Sequence, residues 1–202
     1  MKKKELEMTL QQIPPVPTPH PQLEQYKTPA TIATDIVFTA FQLGDIAGKT
    51  VVDLGCGTGI FSIGAALLGA THVQGFDIDP ASIEIAQSQA TKIHVDVDFT
   101  IKDIQQVEAS CDTVIMNPPF GAQKTNQQAD RRFMETARRI STVIYSLHLQ
   151  KTLPFVETLI RALGSEITHQ KTYTFPIPYM FSFHSHPTQT VDVILLRTIG
   201  SP

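Results

Sequence analysis

Four consecutive residues, Asn117-Pro118-Pro119-Phe120, follow directly on the short apolar run DTVIM at 112–116. Neither proline has an N–H to offer a neighbouring strand, so the pair ends the ladder and holds the residues on either side rigidly. What it holds is an amide and an aromatic ring. The Asn117 side-chain oxygen and the Pro118 carbonyl can accept the two N–H bonds of a primary amine on a planar ring. Acceptors fixed in that way favour a tetrahedral nitrogen with a localised lone pair, and they stabilise positive charge developing there. Phe120 supplies a face on which a planar ring stacks, worth ~1–3 kcal/mol per base. This is a site for chemistry on an amine, and it needs neither a metal nor a covalent nucleophile.

A second group precedes it. Asp53-Leu54-Gly55-Cys56-Gly57-Thr58-Gly59 lies between the apolar run TVVDL (50–54) and the helical pattern IFSIGAALLG. Glycines between a strand and a helix permit positive φ and let a ligand lie against the backbone at the carboxyl edge of a sheet. The next strand ends in Asp77, 22 residues after Gly55. An acid there accepts hydrogen bonds from ribose hydroxyls of a nucleoside cofactor.

The elements that position these groups follow from hydrophobic pattern. Helical spacing runs from Thr31 to Leu43, and Gly44 stops it. Strands are expected at 50–54, 71–79, 93–101, 112–116 and 142–148. Helices are expected at 60–69, from Pro80 through PASIEIAQSQA, at 127–139 and at about 151–163. The 93–101 strand rests on strict alternation of Ile93, Val95, Val97, Phe99 and Ile101 with polar residues. Two late strands, around 166–175 and 189–197, have no helix between them and predict an antiparallel pair. The alternation of strand and helix predicts a mostly parallel sheet with helices on both faces.

Composition sets the frame. The chain has 202 residues, 42% of them hydrophobic, enough for one domain with a sizeable core. No apolar run approaches ~18 residues, so no membrane span is expected. Two cysteines and a start, MKKKELEMTL, that lacks the apolar segment of a signal peptide point to a reducing, cytoplasmic setting. Cys56 and Cys111 fall at opposite edges of the expected sheet, so no bridge between them is expected. PPVPTPHP at 14–21 favours extended polyproline II. Residues 1–22 therefore read as a polar, Pro-rich lead-in, and 23–202 as the catalytic domain. The net charge of −3 divides into −7 over residues 1–120 and +4 over 121–202, a segregation that suits an anionic partner on one side.

The combination DLGCGTG…GFDID resembles the S-adenosylmethionine-dependent methyltransferases of the Rossmann-like, seven-stranded class. The Asn-Pro-Pro-Phe turn resembles that of amino-methyltransferases acting on adenine N6, cytosine N4, guanine N2 or a glutamine amide. LEQYKTP (23–29), DTVIMNPPFG (112–121), VIYSLH (143–148), the late FSFH and VDVILLR narrow the likeness. Together they are similar to the small N6-adenine RNA methyltransferases of the methyltransferase-like-5 type, from about Leu23 to Arg197.

That resemblance implies S-adenosyl-L-methionine as cofactor and adenosine in structured RNA, above all small-subunit ribosomal RNA, as substrate. It assigns the cofactor to Gln25 and Thr28 from the N-terminal segment and to Asp53, Gly55, Thr58, Gly59 and Ile60 of the loop. Asp77 would hold the ribose, Asp103 the adenine amine, and Asn117 the methyl end. Tyr26 would help to enclose the methyl site. Asn117, Pro118, Pro119 and Phe120 would carry catalysis. For RNA, the helical wheel puts Arg131, Arg132, Arg138 and Arg139 within about 120° on one face. With Lys124, they form a cationic surface expected beside Phe120. His184 and His186 have no cysteine near them to complete a metal site, so His184 reads as structural or RNA-facing, although Ser185-His186-Pro187 stands where relatives place lysines. The third strand comes at a sheet edge in this topology, where the family pairs with a small zinc-binding activator protein. The alternatives are methylation of guanine N2 or of a protein glutamine amide, and a cofactor-binding ribosome-assembly scaffold without turnover.

Overall fold

TVVDL is apolar on both of its faces, as a strand covered on both sides must be. In the computed structural model, which describes residues 1–20, 23–120, 128–178 and 188–200, it is the central strand β1 (Thr50–Leu54). Val51 and Val52 point to opposite sides and join two separate cores. The remaining strands are β2 (His72–Asp77), β3 (Asp98–Ile101), β4 (Thr113–Met116), β5 (Val143–Leu149), β6 (Ser165–Pro178) and β7 (Thr188–Gly200). They form one seven-stranded sheet in the order β3-β2-β1-β4-β5-β7-β6. β1 to β5 are parallel, whereas β7 runs antiparallel to both β5 and β6. The strand order reverses between β1 and β4, and in such sheets a ligand site opens at the carboxyl end of that switch point.

One face of the sheet is covered by α1 (Lys3–Gln11), α2 (Ala30–Gln42), α3 (Ile60–Leu67) and α4 (Pro80–Ile93). The other is covered by α5 (Ala129–Ile140) and α6 (Leu153–Ala162). Asp79 caps α4, its carboxylate accepting from the N–H groups of Ala81 and Ser82, with Pro80 in the first turn.

Two expectations are corrected. The N-terminal segment is more than a polar lead-in, because Leu6, Leu10 and Ile13 recur at helical spacing and are fully buried in the main core. Glu5 starts α1 by accepting from the Lys2 backbone N–H at 3.0 Å. The Lys3 ammonium ties this helix to α2, pairing with Asp35 at 2.6 Å. The third strand is also shorter than its alternation predicts. Ile93 ends α4, and His94 turns left-handed at φ 61°. Val95 and Val97 pack on the core from a connection outside the ladder. Only Asp98–Ile101 pairs with β2, at the sheet edge.

Candidate active site

β1, β2 and β4 end side by side, and each delivers one part of the site. After β1, the N–H groups of Gly55 and Cys56 both donate to the Phe76 carbonyl, at 2.8 and 3.0 Å, folding the loop back over β2. Gly59 has φ 84°, and a Cβ there would lie 2.8 Å from the Phe99 ring. Any side chain at that position would collide with the one buried residue of β3. A Cβ at Gly57, by contrast, would meet no protein atom within 4 Å.

At the end of β2 the Asp77 carboxylate accepts from the Gly57 N–H at 2.8 Å and from the Asp79 N–H at 2.9 Å. Burial pushes its pKa up, and these N–H groups partly offset that. The residue lines the cavity and keeps lone pairs to accept from a ligand. Asp103 lines it too, at the start of a short 3₁₀ turn whose Gln105 N–H it accepts at 2.9 Å.

The segment before α2 closes the cavity from the other side. The Gln25 amide N–H₂ donates to Asp79 at 2.7 Å and its oxygen accepts from the His20 N–H. Pro15 and Val16 of the Pro-rich stretch line the same space. Lys27 donates to the Ile13 carbonyl, tying this segment to the end of α1.

After β4 comes the Asn117–Phe120 turn. The Asn117 Nδ2 donates to Thr28 Oγ1 at 3.1 Å, which leaves Oδ1 facing the other way. That oxygen is buried and has no hydrogen-bond partner. An unsatisfied buried acceptor costs ~1–3 kcal/mol and persists only where something else is to be gained. Phe120 stacks near-parallel on Tyr26, with centroids 6.3 Å apart and planes at 17°, and meets Phe175 edge-on at 5.6 Å. Pro118 and Pro119 complete this wall of the cavity.

The cavity has a volume of about 390 Å³, within the range of small-molecule sites. Residues 30–175 match the family described as methyltransferase small domain. The rRNA N(6)-adenosine-methyltransferase METTL5 of Danio rerio is 37% identical over 202 residues, covering 96% of this chain and 95% of its own. This chain belongs to the METTL5-type methyltransferases. Its Drosophila melanogaster counterpart is 34% identical, covering 98% of this chain and 96% of its own. The crystal structure of PH1948 from Pyrococcus horikoshii superposes with a TM-score of 0.92 at 35% identity, covering 100% of this chain and 99% of that one.

S-adenosylmethionine is the methyl donor of this METTL5-type methyltransferase, and the residues present fit it. Asp77, Asp103 and Asn117 line one cavity and offer it oxygen acceptors, and the clear space at Gly57 admits a ligand to the backbone. Gln25, Thr28, Gly55, Thr58 and Ile60 line the cavity as well.

Two expected cofactor contacts are placed elsewhere. Asp53 is 1% exposed and stands behind the loop, accepting from the Ser62 N–H at 3.0 Å and its hydroxyl at 2.6 Å. Burial raises its pKa to about 7. It anchors α3 and does not line the cavity, and Gly59 acts through its conformation and its fit against Phe99.

The structure does not bring the four arginines to one place. Arg132 lines the cavity with Phe133, whose ring packs beneath Gly55. Arg131 lies over the Phe155 ring. Arg138 packs against Gly200, and Arg139 donates to the carbonyls of Gln105 and Val107 at 3.1 and 3.0 Å. The last two border a separate cleft with Lys49 and Asp112, at the amino edge of the sheet. A helical wheel fixes the angle between these residues, but seven positions along α5 also separate them by roughly 10 Å. Lys124 and His184 lie outside the described residues. Sequence reasoning missed Phe133 and the cavity contact of Pro15 and Val16, and the stiffness of the proline run was the only signal for the latter two.

Proposed function

We propose that this METTL5-type enzyme transfers the methyl group of S-adenosylmethionine to N6 of an adenine in structured RNA, small-subunit ribosomal RNA being the substrate class. The observation that carries this reading is the buried, unpartnered Oδ1 of Asn117, oriented by Thr28 and set beside the Phe120 ring. The named relatives that span nearly the whole chain act on adenosine N6 of rRNA, which agrees with an acceptor waiting for an exocyclic N–H.

The cofactor supplies an electrophilic methyl group on a sulfonium. The chain supplies placement and electrostatics. Phe120 stacks the flipped-out base, which puts its amine next to Asn117. Asn117 Oδ1 and the Pro118 carbonyl accept the two N–H bonds and draw the lone pair out of the ring. As the nitrogen becomes cationic, those neutral oxygens stabilise it without rearranging. The methylated nitrogen is then acidic enough to release its proton to water, so no buried base is needed. In-line alignment accounts for much of the remaining acceleration.

Among the described residues no helix is long and apolar enough to cross a membrane. The reading places the enzyme with its RNA in the cytoplasm. It also gives the free edge of β3 to a small zinc-binding activator protein that adds a strand there, a mode supported by the exposed Ile101 at the end of that edge.

The test is mass spectrometry of nucleosides after incubation of RNA with the protein and isotopically labelled cofactor. Labelled N6-methyladenosine is expected. Label in N2-methylguanosine or in protein glutamine would replace this reading, and cofactor binding without any transfer would leave a scaffold.

A further inference from the structure

Phe155 is the most exposed of the described phenylalanine and tyrosine side chains, at 47%. It stands in the first turn of α6, whose buried face is made by Val156, Leu159 and Ile160. Single exposed apolar residues are ordinary, so exposure alone decides nothing. Its surroundings do. The Arg131 guanidinium lies 5.9 Å from the ring centroid. Arg131 is the neighbour of Arg132, which lines the cofactor cavity, and the two project about 100° apart on α5. Because β4 and β5 are parallel, the first turn of α6 opens on the same edge as the catalytic turn. A path therefore runs from the cavity over Arg132 and Arg131 to an open aromatic ring, with the exposed Lys151 just before α6. Glu135 pairs with Arg131 at 3.5 Å, but both side chains are 49% exposed, and a pair of that kind contributes little.

We propose that Phe155 and Arg131 form a stacking subsite for an unpaired RNA nucleobase that flanks the target adenine. The inference rests on the RNA reading above and extends it to a second contact on the substrate. An aromatic ring bordered by cations is the chemistry of single-strand recognition: the ring holds a base, and the cations hold its phosphates.

The experiment measures binding of a fluorescent oligoadenylate by anisotropy across a salt series, together with KM and kcat for RNA. Phe155→Ala weakens binding about fivefold to a hundredfold and leaves the salt slope unchanged, because a base contact and no phosphate is lost. Arg131→Gln reduces that slope by about 0.7. Phe155→Tyr, which keeps the ring, binds like the natural protein. In turnover, Phe155→Ala raises KM for RNA while kcat at saturation stays within twofold. Unchanged affinity in a folded Phe155→Ala protein overturns the subsite, as does a fall in kcat with KM unaltered. If the natural protein methylates RNA adenine regardless of Phe155, only the subsite falls. If the natural protein binds no RNA, both readings fall.

Discussion

The two ends of the Asn117 amide are treated differently: Nδ2 is bonded to Thr28, while Oδ1 is buried with nothing to accept from. An interaction that is completed only when an amine arrives, and strengthens as that amine becomes charged, acts on the rate. Asn117→Ala should therefore slow single-turnover methyl transfer about a hundred- to a thousandfold, the loss seen for one preorganised donor or acceptor. Cofactor affinity by calorimetry should stay near that of the natural protein, because Asp77, Asp103 and the glycine loop are intact. Thr28→Val should lower the same rate by a smaller factor, since the amide keeps its oxygen and loses the partner that turns it. A natural rate in both variants would reduce the turn to a strand stop. The place of this turn was legible because two prolines cannot continue a ladder, and β4 ends at Met116. The hydrogen bond from Asn117 to Thr28 joins residues 89 apart, and no local pattern announces it. Arg138 and Arg139 were misplaced because periodicity carries angle and not distance along the axis.

Among the elements, β1 and β4 were legible from their doubly apolar runs, and the mostly parallel sheet followed from strand–helix alternation. The period-2 signal at 93–101 misled for a physical reason. An extended segment that lays one side on a core alternates whether or not its backbone pairs, and here only four residues pair. α1 was hidden for the opposite reason, as its apolar stripe is just Leu6, Leu10 and Ile13 among charged and polar residues. That stripe nevertheless fits closely: a Cβ at Gly64 of α3 would lie 3.5 Å from Leu10 and 3.2 Å from Val37 of α2. Leu10→Ala removes a fully buried side chain from a three-helix junction that cannot readily collapse, so it should cost about 2–5 kcal/mol in urea unfolding. A cost under 0.5 kcal/mol would mean that α1 is a loose appendage after all.

For the molecule as a whole, Asp35 joins parts of the chain that are remote in sequence. Its carboxylate, on α2, is 14% exposed and accepts from Lys3 of α1 and from Lys171 and Tyr173 of β6, each at 2.6 Å. These bonds fasten the N-terminal helix and the C-terminal hairpin to the same point on one face. Burial alone would raise the Asp35 pKa, but the hydrogen bonds from Lys171, Lys3 and Tyr173 outweigh it and hold the group at about 2, against an ordinary 3.8. A carboxylate whose folded pKa is depressed contributes stability above its unfolded pKa and loses it as pH falls toward the folded value. The shift sets a ceiling of about 2 kcal/mol. The two ammonium groups are 46% and 55% exposed, so solvent screening brings the effect nearer about 1 kcal/mol. Asp35→Asn should then melt about 2–4 °C below the natural protein at pH 7. The gap should be flat down to about pH 5, shrink between pH 4 and pH 2, and close at lower pH, where both side chains are neutral. Added salt should narrow it at pH 7 as well. A gap that persists undiminished at pH 2 would assign the loss to packing around the amide and remove the charge from the account.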